Sequence, residues 1–407
     1  MAQDAGEHPW LRAARAIAPD LVRWRRHLHR HPEVSFQEHE TTRYLAAELA
    51  AMGLAPVRRT PTGLWVDIEG GGHPPDGRAR RVLVRADIDA LPVEEATGLP
   101  FASENPGAMH ACGHDAHAAM ALGAARLFAE HRDHLRGNVR VLFQPAEETP
   151  PGGAPQMIEA GVLEGVDRAI GLHVFALGTE GVRPTGRAYL RSGPVMAASG
   201  RFFLTVRGRG GHGSAPHMSV DAIAVAAEVV GALQHVVARH VDPLASAVVT
   251  VGTIRGGFNQ NVIAPSVEMT GTTRAFDPAV EERVVERMRA IAHHTAAAFG
   301  AEADFRFEKG YPVVVNDPGT TEILGEAARA VLGPDGLETP PPLMGSEDFA
   351  HYALRVPSAF LWLGAGNPDV LAPAPNHDPH FAADEGALPY GTAILVEGAL
   401  RLLADGG

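Results

Sequence analysis

Three histidines and the only cysteine of the chain fall within the nine positions Met109–His117, which read MHACGHDAH. Thiolate and neutral imidazole hold borderline-soft cations such as zinc, and both must lose a proton to do so. The competing reading is a cysteine packed as a small apolar group beside histidines at a helix start. Two further groups weigh against it. Asp87 and Asp89 follow a short β-branched run, and Glu147 and Glu148 follow another. Adjacent carboxylates repel unless something neutralises one of them. A metal ligand beside a free carboxylate acting as general base does that.

These groups need elements to carry them. RVLVRA (Arg81–Ala86) and NVRVLF (Asn138–Phe143) read as buried strands, as does Ala169–Leu172, which runs into His173. Three strand ends therefore deliver Asp87/Asp89, Glu147/Glu148 and His173, the edge at which open α/β sheets bind ligands. Helices are expected over about 19–30, 37–52 (stopped by Gly53), 115–131 (with Asp115 as N-cap) and 153–163. GLWVDIEG reads as a strand and 71–80 as an exposed turn. His27, His29 and His31 close the first helix and read as partners of its dipole. Strand–helix alternation predicts an α/β fold with a mostly parallel sheet flanked by helices.

After about Leu190 the pattern changes. A half-exposed strand (199–206), the turn RGRGGHGSAPH, a helix (221–240), two strands (247–254, 267–276), a helix (278–299) and a strand (302–307) give a β-α-β-β-α-β order. That is the ferredoxin-like pattern of an inserted α+β domain. The expected domains are thus 1–189 with 311–407, and 190–310. The glycine-rich turn fits neither phosphate-loop fingerprint, since no Lys-Ser/Thr follows it. From Tyr311 the α/β pattern resumes with a helix (320–332), a strand (359–363) and a loop carrying His377 and His380. One of these two is expected to be a ligand and the other a surface residue.

At 407 residues two domains are expected. Acidic residues (48) exceed Lys plus Arg (35), giving −13, which argues against nucleic acid or an anionic membrane as partner. One cysteine excludes an intrachain disulfide. No apolar signal-peptide core and no apolar run near the ~20 residues of a span are evident, so a cytoplasmic protein is expected.

MHACGHDAH, QPAEE, GLHV, GGHGSAPH, NVIAP, GTTRAF, GSEDF and NHDPHF, in this order, resemble the amidohydrolase branch of the aminoacylase and glutamate-carboxypeptidase metallopeptidases. Hippurate hydrolase, N-acyl-L-amino acid amidohydrolases and auxin-conjugate hydrolases belong to that branch. The resemblance spans about 21–403. It implies a di-metal catalytic domain with a lid domain that often mediates dimerisation, hence a homodimer or higher homo-oligomer. It implies metal ligands Cys112, His114, Glu148, His173 and His377, with Cys112 bridging two divalent cations (Mn, Zn, Co or Ni). Glu147 is similar to the family's general base, and His212 to the lid histidine that stabilises the oxyanion. Asn261 and Arg274 match substrate-contacting lid positions, Arg274 suiting a carboxylate through its planar fork. Asp87 and Asp89 are expected behind the ligands, although related branches place a metal-binding histidine at the position of Asp87. The implied reaction is hydrolysis of an N-acyl amino acid. A dipeptidase or carboxypeptidase of the same family is an alternative. So is an amidase with Cys112 as nucleophile and His114 or His117 as base, which leaves both glutamates and His173 without work.

Overall fold

The computed structural model describes residues 6–72, 77–178, 180–370 and 372–405. The turn expected over 71–80 lies partly outside them. The chain forms two compact units: Met1–Val195 with Val315–Pro341 and Asp348–Gly407, and Met196–Val314 with Pro342–Glu347. These boundaries sit a few residues beyond the expected ones, and the short Pro342–Glu347 stretch joins the second unit.

The buried runs of the first unit form a seven-stranded sheet in the order Leu64–Glu69, Gly137–Gln144, Arg80–Asp87, Arg168–Phe175, Ser358–Gly364, Ala188–Tyr189, Leu337–Glu338. Four adjacent strands, from Gly137–Gln144 to Ser358–Gly364, are parallel. Leu64–Glu69 is antiparallel to its neighbour, so the sheet is mixed rather than wholly parallel. Asp87 pairs with Gln144, which brings two of the acid-bearing strand ends side by side. Helix His114–Glu130 is buried nearly all round, as its alanine- and leucine-rich sequence requires. It packs against helices Ala18–Arg30 and Leu388–Ala404.

Two expected helices are shorter or broken. The first spans only Ala154–Glu159, and the second divides at Gln234 into Ala222–Leu233 and His235–His240. Contrary to the sequence expectation, Ala222–His240 and Glu385–Ala404 are long and apolar enough for a membrane span by length and composition alone. The second is 72% buried and is a core helix of the first unit.

The second unit is a four-stranded antiparallel sheet, ordered Ala247–Gly256, Ser266–Ala275, Ala198–Arg207, Glu302–Lys309. Alternation along Ala198–Arg207 turns Phe202, Leu204 and Val206 inward. Val225 and Val229 of one helix and Val284 and Met288 of Pro278–Ala298 share that core. Asp221 and Asp277 cap these helices by accepting backbone N–H groups.

Candidate metal centre and active site

Cys112 and His114 are aimed by the residue between them. Gly113 is the N-cap of helix His114–Glu130 at φ +85, and a Cβ there would collide with Val174 Cγ2. Only glycine fits both constraints. The expected cap, Asp115, is committed elsewhere. Its Oδ2 accepts from Arg25 Nε at 3.0 Å and lies 2.8 Å from His29 Nδ1, all three side chains being buried. His29 is therefore a core residue rather than a dipole partner, with Glu95 3.3 Å from its other nitrogen.

Cys112 Sγ lies 3.3 Å from His173 Nε2, and His377 Nε2 lies 3.2 Å from Glu148 Oε1. Two ligands at about 2.1 Å on one tetrahedral cation are roughly 3.4 Å apart, so these spacings suit shared coordination. His377 is held at φ +73, with its N–H donating to Ala111 O at 2.7 Å. The neighbouring Asn376 Nδ2 donates to Cys112 O and Val174 O. His380 faces away, exposed and 3.0 Å from Asp378 Oδ1, so His377 is the loop histidine brought to the centre.

Donor atoms of Cys112, His114 and His173 lie within 4.8 Å of one another, and so do those of Cys112, Glu148 and His377. The two groups share the thiol. A third group joins His114 to Glu147 and Glu148. His114 Nε2 is buried without a hydrogen-bond partner, a costly state that a cation relieves. This soft and borderline donor set fits divalent transition metals.

The partners behind the centre set the imidazole tautomers. His114 Nδ1 is 2.8 Å from the Asp89 carbonyl and 3.2 Å from Asp89 Oδ1, so it carries a proton and Nε2 is the nitrogen left to face a cation. His173 does the same through Val174 O at 2.9 Å. His117 is spent: Nδ1 lies 2.6 Å from Asp87 Oδ1, and Nε2 accepts from Val174 N–H at 2.8 Å. Asp87 in turn accepts from Arg85, which reaches Gln144 and Asp348. Asp87 and Asp89 thus stand behind the histidines. Arg85, Asp348 and Asn376 received no role from the sequence, although Asp348 lies within GSEDF and Asn376 beside His377.

The field of these acids is strong. Burial would lower the pKa of His114, but Asp87, then Asp89 and Glu148, raise it to about 10. Burial, then Glu148 and Glu147, push the Cys112 thiol well above its ordinary range. Protons on both groups are what a cation exchanges for. Glu147 is buried, and Oε1 lies 3.4 Å from the Asp348 N–H.

His212, Asn261 and Arg274 belong to the second unit. Gly211–His212 pairs with Val262–Ile263, and Gly213 N–H donates to Asn261 O at 2.8 Å, which brings His212 beside Asn261. His212 is exposed, and its Nδ1 accepts from Ser214 N–H at 3.1 Å, so its ring proton sits on Nε2. Arg274 is half-buried, and Nη1 donates to Thr273 O. Burial, then Arg201, lower its pKa, and no carboxylate pairs with it among the described residues.

Residues 83–401 match the family described as Peptidase family M20/M25/M40. An N-acetyl-L-cysteine deacetylase of Bacillus subtilis is 42% identical over 394 residues, 95% of this chain and 89% of that protein. An N-acyl-L-amino acid amidohydrolase of Geobacillus stearothermophilus is 45% identical over 326 residues, 79% of this chain and 86% of that one. Among solved structures, a Bacillus subtilis dinuclear metal binding peptidase from the M20 family superposes with TM-score 0.82 at 36% identity, covering 96% of this chain and 99% of that one. This chain belongs to peptidase family M20/M25/M40 and is a hydrolase of amide C–N bonds.

Proposed function

We propose that the chain hydrolyses N-acyl amino acids to a carboxylate and a free amino acid. The observation that carries this reading is the pair of donor groups sharing Cys112, with Glu147 at their margin. Cys112, His114, Glu148, His173 and His377 would hold two divalent cations, which when bound polarise the amide carbonyl and lower the pKa of a water. Glu147 takes the proton from the attacking water. It passes that proton to the amide nitrogen as the C–N bond breaks. The Nε2–H of His212 donates to the oxyanion, reached by closure of the second unit of its own or a partner chain. Arg274, a cation lacking an acid partner among the described residues, takes the substrate carboxylate, and Asn261 lies beside His212 to contact the acyl group's surroundings. The thiol-nucleophile alternative is disfavoured because it leaves Glu147, Glu148 and His173 without work, and His117, one of its two candidate bases, is already bonded to Asp87 and to the Val174 N–H. The single cysteine suits a reducing cytoplasm, and the inserted unit is the proposed dimerisation surface.

The test is a panel of N-acetyl-, N-benzoyl- and indole-acetyl-amino acids and unblocked dipeptides, with manganese, zinc, cobalt or nickel. Release of amino acid from at least one N-acyl class is expected. Cleavage of dipeptides alone would move the chain to the dipeptidase reading.

A further inference from the structure

Three non-glycine residues among those described have positive φ: Phe36 (67°), Ala146 (55°) and His377 (73°). Two of them bond the same atom. Phe36 N–H donates to Glu38 Oε1 at 3.0 Å, and Ala146 N–H donates to the same oxygen at 2.8 Å. Glu38 is fully buried, and 108 residues separate it from Ala146. A left-handed non-glycine residue is strained and persists only where its surroundings impose it. Two backbone N–H groups meeting at one buried carboxyl oxygen are such an imposition, since either left unpaired there would be costly.

The strained residue immediately precedes Glu147. On the other side, Glu148 N–H donates to Asp89 Oδ2 at 3.0 Å, and Ser35 Oγ donates to that oxygen at 2.7 Å. The backbone on both sides of Glu147 is thus tied to a buried carboxylate, by Glu38 before it and by Asp89 after it. Residues 35–38 bear on both ties: Glu38 accepts the first, and Ser35 donates to the acceptor of the second. We infer that Glu38 is a positioning residue: it holds Ala146 in the left-handed conformation that turns the chain out of strand Gly137–Gln144 and aims the Glu147 carboxylate. This rests on the proposed role of Glu147 as base.

The experiment uses the full chain, with the panel substrate that the unmodified protein hydrolyses fastest and the metal that supports it. Misplacing a catalytic group by about 1 Å can cost on the order of 10²-fold. Glu38→Ala should therefore lower kcat by about 10- to 100-fold, with KM and bound metal little changed. Glu38→Gln, which keeps the accepting oxygen, should recover most of that loss. Ala146→Gly placed in Glu38→Ala should recover part of it, since glycine adopts positive φ without help. The double variant Glu38→Ala/Glu147→Gln should be no slower than Glu147→Gln alone. If Glu38→Ala does not fold, Glu38→Asp, which keeps the charge but withdraws it by one methylene, must show the same loss of kcat. Undiminished kcat in folded Glu38→Ala or Glu38→Asp, beside an inactive Glu147→Gln, overturns the role of Glu38 alone. So does a loss that multiplies with that of Glu147→Gln, or a fall in kcat that tracks loss of metal. Full activity in Glu147→Gln overturns the base assignment itself, and the role of Glu38 with it.

Discussion

His114 and His212 present the same ring nitrogen in opposite states. In the first unit, His114 is fully buried, and its Nδ1–H points to Asp89, leaving Nε2 to exchange its proton for a cation. In the second, His212 is exposed, and its Nδ1 accepts from Ser214, leaving the proton on Nε2. A lone pair binds a cation and an N–H binds an oxyanion, so the partner on the far nitrogen assigns the chemistry. The supports also differ in kind. Asp89 is held by Ser35 and Glu148 from other parts of the chain, whereas Ser214 lies two residues from the histidine it orients. The first centre is preorganised by its core; the second depends on a local turn.

Substitutions can break that contrast. The largest loss is expected from Glu147→Gln: kcat should fall about 10²–10⁴-fold while metal stays bound. Metal loss from Glu147→Gln but not from Glu148→Gln would exchange their roles. His212→Ala comes next, at about 10²–10³-fold in kcat for a lost oxyanion donor, with metal content unchanged. Normal kinetics would remove His212 from the mechanism. Asp89→Ala should act on the other region, weakening metal affinity by about 10- to 100-fold, as read by titrating activity against free cation. If excess metal leaves it inactive, Asp89 does more than orient His114.

The smallest effect on turnover is expected behind the centre, at Asp115. Burial would raise its pKa, but Arg25 and then His29 hold it well below the ordinary range. Burial would lower that of His29, but Asp115 and then Glu95 raise it. The depressed carboxyl stabilises the fold above its unfolded pKa of about 3.9, and the raised imidazole does so below about 6.5. The first contribution fades as pH falls through the folded pKa of Asp115, the second as pH rises through that of His29. Asp115→Asn should therefore cost most, about 3–5 kcal/mol for breaking a buried pair, between about pH 4 and 6.5. A melting-temperature difference independent of pH would contradict this.

Much of this was legible in the sequence, and the exceptions share a cause. Asp-Pro at 277–278 and at 317–318 marks helix starts because the cap and the N1 proline act locally, and both aspartates do cap. Asp115 has the same look, yet its partners Arg25 and His29 lie 90 and 86 residues away, so no local rule finds them. Cysteine, histidine and paired glutamates announce a metal centre by type. Arg85 reaching Asp348 across 263 residues, or Glu38 reaching Ala146 across 108, becomes visible only once the strands are in register. Residue type identified the candidate ligands; the fold had to identify the groups that orient them.

The proposed hydrolysis requires cations held by Cys112, His114, Glu148, His173 and His377. Stripping the protein with chelator, verifying its metal content by elemental analysis, and titrating divalent cation back against N-acyl amino acid hydrolysis tests this directly. The stripped chain should be inert, and activity should return and level off near two equivalents per chain. Full turnover by protein shown to be free of metal would contradict it.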